Sequence, residues 1–235
     1  MEKEVRARED AQTRLSELMG KQLKTNNPAI TDLSDPSRPL SLVEKLSNIY
    51  DNEWTDAIED VEQLTKDEPL ASKILLAVIT DSYQECFSLR YKGTAFIGFE
   101  NEHSHITSKI RDVPDELGPE LKKLDVKELD KLRQAVIRKQ ESKVNRQILA
   151  CLSRKKQYVH KCVELCWKMV CHSPPVHLEW NYEGRSFDHH LLKPFTEDGT
   201  VIKFMVWPVM FLHNNGPLLC KGVAQGYSGK QQTHF

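Results

Sequence analysis

The chain has 235 residues and a mass of 27.1 kDa, with 39% hydrophobic and 29% charged residues. This length allows a sizeable core and is typical of one domain, or one domain with an appendage. The net charge of -1 excludes a whole-molecule attraction to nucleic acid or membranes, so any such preference requires local charge clustering. The longest apolar run, Phe204 to Leu212, is far too short to span a bilayer. The N-terminus MEKEVRARED resembles neither a secretory signal nor a transit peptide, which predicts a soluble intracellular protein.

The N-terminal part of the chain predicts an appendage to a compact domain. Residues 1–24 are charged and favour a helix, but their sparse aliphatic residues predict only a helical or coiled-coil stub. Residues 25–39 are rich in Asn, Asp, Ser and Pro, as in a linker. A globular domain is therefore predicted over residues 40–227, followed by a flexible tail over 228–235.

The first half of this domain has the apolar periodicity of helices. The spacing of Ser41 and Glu44 is that of a capping box, which predicts a helix start at Ser41. Two apolar stripes at three- and four-residue steps then predict two helices, separated by a break at 66–69. The stripes comprise Leu42, Leu46, Ile49, Ala57, Val61 and Leu64, and then Leu70, Ile74, Val78 and Leu89.

The segment between Pro119 and Pro174 contains no glycine or proline in 54 consecutive residues. Asp125 and Glu128 form a second candidate capping box, and apolar residues recur at helical spacing behind it. The pattern predicts either one very long helix or two helices joined near Ser153. Both versions are helical.

The last third of the chain changes to strand periodicity. Residues 176–182 alternate between apolar and polar side chains, and residues 201–212 are dense in β-branched and aromatic residues. Asn215-Gly216 predicts a tight turn with positive backbone dihedrals, and residues 218–224 a returning strand. Pro208 cannot donate to a ladder, so it is placed at an edge or bulge. The predicted fold is mainly α, a helical bundle with a long or kinked helix and a small C-terminal antiparallel β element.

No catalytic motif stands out, which predicts that the protein is not an enzyme. The strongest metal candidates are His160, Cys162, Cys166, Cys171 and His172. They lack a Cys-x-x-Cys pair, and cysteine is often buried as a small apolar residue, so a reduced helical core face is favoured over a metal or redox site. No cofactor is predicted.

Charge is segregated along the chain. Residues 131–161 contain ten Lys and Arg and one acid, whereas residues 51–68 carry eight acids and one base. A clustered basic face attracts phosphates of lipids or nucleic acids, and Lys139, Lys143 and Arg146 share a helical face by their spacing. The candidate lipid-binding residues are Arg138, Lys139, Lys143, Arg146, Arg154, Lys155 and Lys156. Nucleic acid is not expected as a partner, because the basic run lacks interleaved aromatics and a recognised motif.

An alternative interpretation of the same pattern is equally open. The basic stretch can have an ordinary solvated face, or pair with the acidic stretch inside the fold or between copies of the chain. In that case the protein acts as a scaffold for self-assembly or protein–protein interaction, through complementary acidic and basic helix faces.

Five ordered blocks of sequence resemble the C-terminal domain of the mitochondria-eating protein (Mieap) family. They are Tyr50–Ala57 (YDNEWTDA), Cys166–Met169 (CWKM), Ser173–Pro175 (SPP), Val206–Pro208 (VWP) and Gly216–Val223 (GPLLCKGV). Together the blocks place the resemblance over roughly residues 40–225. The chain departs from the family before this region, where the stub at 1–24 stands in place of extended coiled coils.

The resemblance implies a non-enzymatic role in mitochondrial quality control and mitophagy. It implies a cytoplasmic protein that associates with mitochondria and engages the anionic mitochondrial lipid cardiolipin. It also implies self-association and, as partners, mitophagy receptors of the mitochondrial outer membrane. No residue-level lipid site is carried over from the family, so the basic residues named above are a prediction from the charge pattern alone.

Overall fold

A computed structural model of the chain describes residues 38–90, 126–172 and 174–228. The helices in these ranges are α1 (Pro39–Asn48), α2 (Thr55–Thr65), α3 (Glu68–Arg90), α4 (Val126–Glu141), α5 (Arg146–Arg154) and α6 (Lys156–Val170). A π-helical turn (Ile49–Trp54) joins α1 to α2. The strands are β1 (His177–Glu179), β2 (Leu192–Pro194), β3 (Val201–Trp207), β4 (Val209–Phe211), β5 (Leu218–Cys220) and β6 (Gly222–Tyr227). The predicted mainly α fold with a small C-terminal β part is confirmed, and its description as a bundle stays a prediction.

Several predicted features lie outside the described residues. They are the helical stub at 1–24, nearly all of the linker at 25–39, the helix cap at Asp125 and the tail after Ser228.

Helix α3 lies at the centre of the helical part. It contacts α2, α4, α6 and β3, and it is buried on most of its circumference. Two buried tyrosines donate hydrogen bonds to backbone carbonyls around it: Tyr158 Oη to Leu75 O at 2.8 Å, and Tyr83 Oη to Val176 O at 2.9 Å. Because a buried hydroxyl without a partner is costly, these bonds help to fix α6 and the start of the β part against α3.

Helix α1 begins at Pro39, two residues before the predicted start, so the capping-box prediction at Ser41 is wrong. Arg38 is the N-cap residue and makes no side-chain capping bond. Proline is suited to the first turn of a helix, because its fixed φ is helical and its missing N–H would have no intrahelical acceptor. All members of the first predicted stripe are buried except Leu64, which is 37% exposed. In the second stripe, Ile74 and Val78 are buried, Leu89 is half-buried and Leu70 is 45% exposed.

The segment after Pro119 that lacks glycine and proline was predicted to form one helix or two. Within the described residues it forms three helices, α4, α5 and α6. The predicted junction near Ser153 corresponds to the break at Lys155, between α5 and α6. The break between α4 and α5 was not predicted. Asn145 Oδ1 accepts hydrogen bonds of 3.0 Å from the backbone N–H groups of Gln147 and Ile148, and so caps α5.

The β part consists of two three-stranded sheets, with strand orders β1-β4-β5 and β2-β6-β3. The chain changes sheets three times: in the connection from β1 to β2, at Pro208 between β3 and β4, and at Lys221 between β5 and β6. The long predicted hairpin is therefore bent across two sheets, and Pro208 lies at the bend, outside both ladders. Gly222 is required there, because a Cβ at this position would lie 2.8 Å from the carbonyl oxygen of Trp207.

Two β predictions need correction. The short strand β2 was not predicted, and it pairs with β6 in parallel, so the β part is not wholly antiparallel. In the predicted turn only Asn215 has a positive φ, of 57°. Gly216 serves close packing instead, since a Cβ there would lie 2.7 Å from the ring of His213.

Candidate functional site

The predicted lipid-binding residues follow one another from the C-terminal half of α4 to the start of α6, with Lys143 in the turn before α5 and Lys155 at the break before α6. The structure divides them into two sets. Three are paired with acids of other helices: Lys139, Lys143 and Lys155. The other four have no ion pair among the described residues: Arg138, Arg146, Arg154 and Lys156. We call these the paired lysines and the free cations.

Lys143 takes part in the most buried of these contacts. Its Nζ lies 2.8 Å from Oδ2 of Asp81, a residue of α3 that is only 5% exposed. The amide of Gln140 donates to the same oxygen at 2.5 Å. A buried carboxylate requires such partners, because burial removes its hydration. Lys143 and Gln140 therefore bind the end of α4 to the central helix.

Lys139 makes a second, more exposed contact with the same helix. Its Nζ lies 2.7 Å from Oε1 of Glu85, which is one turn after Asp81 on α3. The predicted face of Lys139, Lys143 and Arg146 thus directs two of its three cations towards α3. Arg146 alone of the three is exposed with no ion pair in the described parts of the chain.

The acidic stretch at 51–68 also pairs with the basic stretch inside the fold. Lys155 Nζ lies 3.0 Å from Oδ2 of Asp60 and 2.8 Å from the carbonyl oxygen of Asp56, both on α2. Lys161 on α6 pairs with Glu53 of the π-helical turn. The acidic and basic stretches of the sequence therefore belong, in part, to segments that pack against each other in the fold.

The free cations have a different environment. Arg138 is exposed at the end of α4, and Lys156 is exposed at the start of α6. On α5, Arg146 and Arg154 lie on the exposed side with Ala150, opposite the buried residues Ile148 and Leu152. These four exposed cations have no acidic partner among the residues described, so each is accessible to an external anion.

The cysteines of the metal candidates are packed in the core. Cys162, Cys166 and Cys171 are buried, and burial raises the pKa of the Cys162 and Cys166 thiols. Cys166 Sγ donates to the carbonyl of Ile79 at 3.6 Å. Because the thiolate is the nucleophile and the metal ligand, a raised pKa lowers reactivity. Within residues 38–90, 126–172 and 174–228, no three His, Cys, Asp or Glu side chains are grouped to hold a metal.

Two of the sequence blocks meet in an aromatic cluster between the helical and β parts. The ring of Tyr50 stacks on Trp54 at 4.9 Å and lies 5.3 Å from the ring of Trp207. Phe195 meets Trp54 edge to face at 5.9 Å. Burial, together with the charge of Asp51, raises the pKa of Tyr50 to about 12. These block residues therefore hold the two parts together.

The other tryptophans of the last third of the chain, and the methionines beside Pro208, are also largely core. Trp167 and Trp207 are 5% and 2% exposed, and Met205 and Met210 are fully buried. The run around Pro208 is therefore part of the core and not an exposed docking surface. Trp180 is half-buried and packs edge to face against Tyr83.

Sequence reasoning missed the acids that receive Lys139 and Lys143. Asp81 and Glu85 lie on α3, outside the acidic stretch, and only the tertiary packing of α4 on α3 brings them close. A polar Asp at the centre of an otherwise apolar helix was the available signal, because a buried carboxylate requires a partner. No helix among the described residues has the length and apolar character needed to cross a bilayer.

Comparison with known families gives a match over most of the chain. The family described as mitochondria-eating protein (MIEAP) matches residues 38–226, which is most of the chain and nearly all of the described structure. Comparison with curated proteins and with solved structures gives no significant match.

Proposed function

Because the chain belongs to the mitochondria-eating protein family, with a role in mitochondrial quality control, we propose that it is a non-enzymatic module that binds anionic lipid. The proposed ligand is cardiolipin on mitochondrial membranes, and the proposed surface is formed by the free cations on α4, α5 and α6. This family is not known as an enzyme family, and its name associates the chain with mitochondria.

The observation that supports this proposal is the exposure of four cations with no ion pair in the described structure. Arg138, Arg146, Arg154 and Lys156 lie on three consecutive helices, and Glu141 is the only acid between positions 131 and 161. A basic residue near an anionic membrane contributes about 1 kcal/mol to binding. Four such residues are enough for reversible, salt-sensitive attachment without a membrane-spanning segment.

The paired lysines have a smaller part in this proposal. Lys139, Lys143 and Lys155 already balance Glu85, Asp81 and Asp60, so their charge is partly cancelled at the surface. To contact a lipid phosphate, each of these lysines would have to break its ion pair. Otherwise the negatively charged partner of the lysine would lie beside the negatively charged phosphate. We therefore narrow the seven predicted residues to the free cations as the principal lipid contacts.

Co-sedimentation with vesicles tests the ligand. Three compositions are compared: cardiolipin in a neutral lipid, phosphatidylserine at matched surface charge, and neutral lipid alone. Binding that is selective for cardiolipin and weakens with salt supports the proposal. Equal binding to both anionic lipids contradicts selectivity for cardiolipin and shows that binding depends on surface charge alone. Absence of binding at low salt contradicts the proposal as a whole.

A second candidate function, a scaffold for self-assembly or protein–protein interaction, is favoured by a different surface. Glu59 and Glu62 on α2 are exposed and have no ion pair among the described residues. Beside them in the chain, Leu64 and Leu70 are 37% and 45% exposed at the turn between α2 and α3. An acidic surface with exposed leucines suits a basic, amphipathic partner such as the free cations of a second copy.

Light scattering distinguishes the scaffold from the lipid-binding module. The scaffold requires a molar mass that rises with protein concentration and falls with added salt. A monomer at low salt over the whole concentration range contradicts self-pairing. Outer-membrane mitophagy receptors are the proposed protein partners, and a pull-down with receptor cytoplasmic segments, compared between the wild type and Glu62→Gln, tests that interaction.

A further inference from the structure

An exposed hydroxyl lies between two of the free cations, in the turn that joins α4 to α5. Ser142 directly follows the last residue of α4, and the turn covers residues 142–145. Arg138 lies four residues before Ser142 and Arg146 four residues after it, and all three are exposed. The direct neighbours of the serine, Glu141 and Lys143, are exposed as well. An enzyme can therefore approach this serine from solvent.

The backbone of the turn is fixed, but the hydroxyl of Ser142 is only weakly held. The N–H groups of Lys143 and Val144 both donate to the carbonyl oxygen of Gln140, at 2.9 and 3.0 Å. Oγ of Ser142 donates to the carbonyl oxygen of Lys139 at 3.3 Å, which is long for a hydroxyl hydrogen bond. This bond reaches back three residues, as in a helix, so Ser142 continues the spacing of α4.

The residues around Ser142 suit an enzyme that selects basic substrates. Lys139 lies three residues before the serine, and Lys143 directly follows it. Basophilic protein kinases recognise such charge, chiefly a cation three residues before the acceptor hydroxyl. The side chain of Lys139 is 38% exposed, and its contact with Glu85 is a surface ion pair that breaks at little cost. A kinase can therefore compete for this lysine.

We propose that Ser142 is a phosphorylation site and that its phosphate neutralises the free cations beside it. This inference rests on the proposed function, because the neutralised surface is the proposed lipid-binding one. In the transfer step, Oγ of Ser142 bonds to the γ-phosphorus of ATP, and the bond from that phosphorus to the oxygen bridging to the β-phosphate breaks. ADP leaves, and the hydroxyl proton passes to a carboxylate base of the kinase.

The phosphate has two cations close by in the chain that are not already paired among the described residues. A phosphoserine carries a charge of about -1.5 to -2 at pH 7 and three acceptor oxygens. Arg138 lies one helical turn before it, at the spacing of an ion pair along a helix, and Arg146 follows as the first residue of α5. The modification therefore cancels about half of the charge of the four free cations and repels lipid phosphates.

A second exposed serine beside the free cations provides an internal contrast. Ser153 lies in the last turn of α5, directly before Arg154. Three residues before it stands Ala150 instead of a cation, and its preceding neighbour Leu152 is fully buried. A kinase would have to withdraw Leu152 from the core to bind this segment in an extended form. We therefore expect transfer to Ser142 and not to Ser153.

The first measurement is phosphoryl transfer to the folded full chain. The chain is incubated with Mg-ATP and the catalytic subunit of cAMP-dependent protein kinase or of a calmodulin-dependent protein kinase, and mass spectrometry locates the phosphate. We expect incorporation at Ser142 with at least one of the two kinases, its loss in Ser142→Ala and a lower rate in Lys139→Gln. No incorporation at Ser142 with either kinase, or equal incorporation at Ser153, would overturn the assignment.

The second measurement is the effect of the phosphate on vesicle binding. Phosphoserine is incorporated at position 142 during translation, and the modified chain is compared with the unmodified chain on cardiolipin vesicles. We expect binding to weaken about 25-fold, which is about fivefold for each of two cancelled charges. Phosphoserine at position 186, an exposed serine of the β part, is the matched control and should weaken binding by less than about threefold. Equal weakening by the two phosphates would overturn the proposal.

A ³¹P NMR titration of the modified chain tests the pairing without any lipid. Contact with the two arginines should lower the second pKa of the phosphate below that of phosphoserine in a short peptide, because a cation favours the dianion. Replacing Arg138 and Arg146 by glutamine should restore the peptide value. An unshifted phosphate pKa would overturn this inference. Absence of vesicle binding by the unmodified chain contradicts the proposed function instead, so the two failures are distinguishable.

Discussion

The paired lysines and the free cations have the same charge and lie in the same stretch of sequence, but their surroundings differ. Lys143 contacts a carboxylate that is almost fully buried, whereas Arg138, five residues earlier, is exposed with no ion pair among the described residues. The difference shows that a basic run can combine two roles. Some of its cations fasten helices to one another, and the others remain available at the surface.

The largest expected effect on stability comes from removing Lys143. The substitution Lys143→Met leaves the buried carboxylate of Asp81 with the Gln140 amide as its remaining described partner. We expect a loss of about 2 kcal/mol in the free energy of unfolding, below the ~3–5 kcal/mol typical of a fully buried pair, because Lys143 is half exposed. Urea denaturation measures this loss.

The control for this substitution is Arg138→Met, near the end of α4 and five residues before Lys143, which should change stability by less than about 0.5 kcal/mol. Adding Asp81→Asn to Lys143→Met should recover part of the loss, since the uncompensated charge is removed. Equal effects of Lys143→Met and Arg138→Met would break the distinction between the two sets.

Neighbouring residues give a sharper contrast at the start of α6. Lys155→Ala removes the contacts with Asp60 and with the carbonyl oxygen of Asp56, and with them the link from α2 to the junction of α5 and α6. We expect a loss of about 1 kcal/mol, given that Asp60 is half exposed. Lys156→Ala, next in sequence but exposed, is expected to be neutral. Thermal unfolding of both variants under the same conditions checks the difference.

Part of this picture could be predicted from the sequence. Helical periodicity identified the buried faces of the helices, and the alternation at 176–182 and the β-branched run at 201–212 identified strands. The parallel pairing of β2 could not be predicted, because its three residues form a strand only beside β6. The role of Asp81 was equally hidden, since its partners lie about 60 residues away in sequence.

The candidate surface shows the same limit. Local sequence identifies where charge is concentrated, but only packing decides which charge is balanced. Arg138 and Lys139 are adjacent in sequence but lie about 100° apart around the helix axis. Lys139 therefore pairs with Glu85, whereas Arg138 is exposed to solvent. A signal that was available and not used is Asn145, a favoured N-cap residue at the start of α5.

A pH dependence extends the comparison to a pair within one helix. The pKa of Glu164 is lowered by its hydrogen bond from Lys168, so the carboxylate form stabilises the fold. This stabilisation is complete above the unfolded value of about 4.3 and is lost as the pH falls through the lower, folded value. The pair is partly exposed, so we expect only a few tenths of a kcal/mol.

The measurement is the difference in unfolding free energy between the wild type and Glu164→Gln from pH 7 down to pH 3. This difference should shrink below about pH 4. A difference that stays constant across the range would contradict a stabilising role of the ionised pair.

The free cations are each expected to contribute little to stability. Replacing Arg138, Arg146, Arg154 and Lys156 by glutamine removes no described ion pair, and the unfolding free energy should change by less than about 1 kcal/mol in total. Chemical denaturation at low and high salt measures this. A large loss at low salt alone would show that these cations balance acids within the molecule.

The most direct test of the account compares this glutamine variant with a second one, in which Lys139, Lys143 and Lys155 are replaced by glutamine, in binding to cardiolipin vesicles. Both variants must first be shown to be folded at the assay temperature. The account predicts that loss of the free cations weakens binding about fivefold per residue, whereas loss of the paired lysines weakens it much less. Equal losses per residue in the two variants, or a greater loss when the paired lysines are replaced, would contradict the assignment of the free cations as the lipid-binding surface.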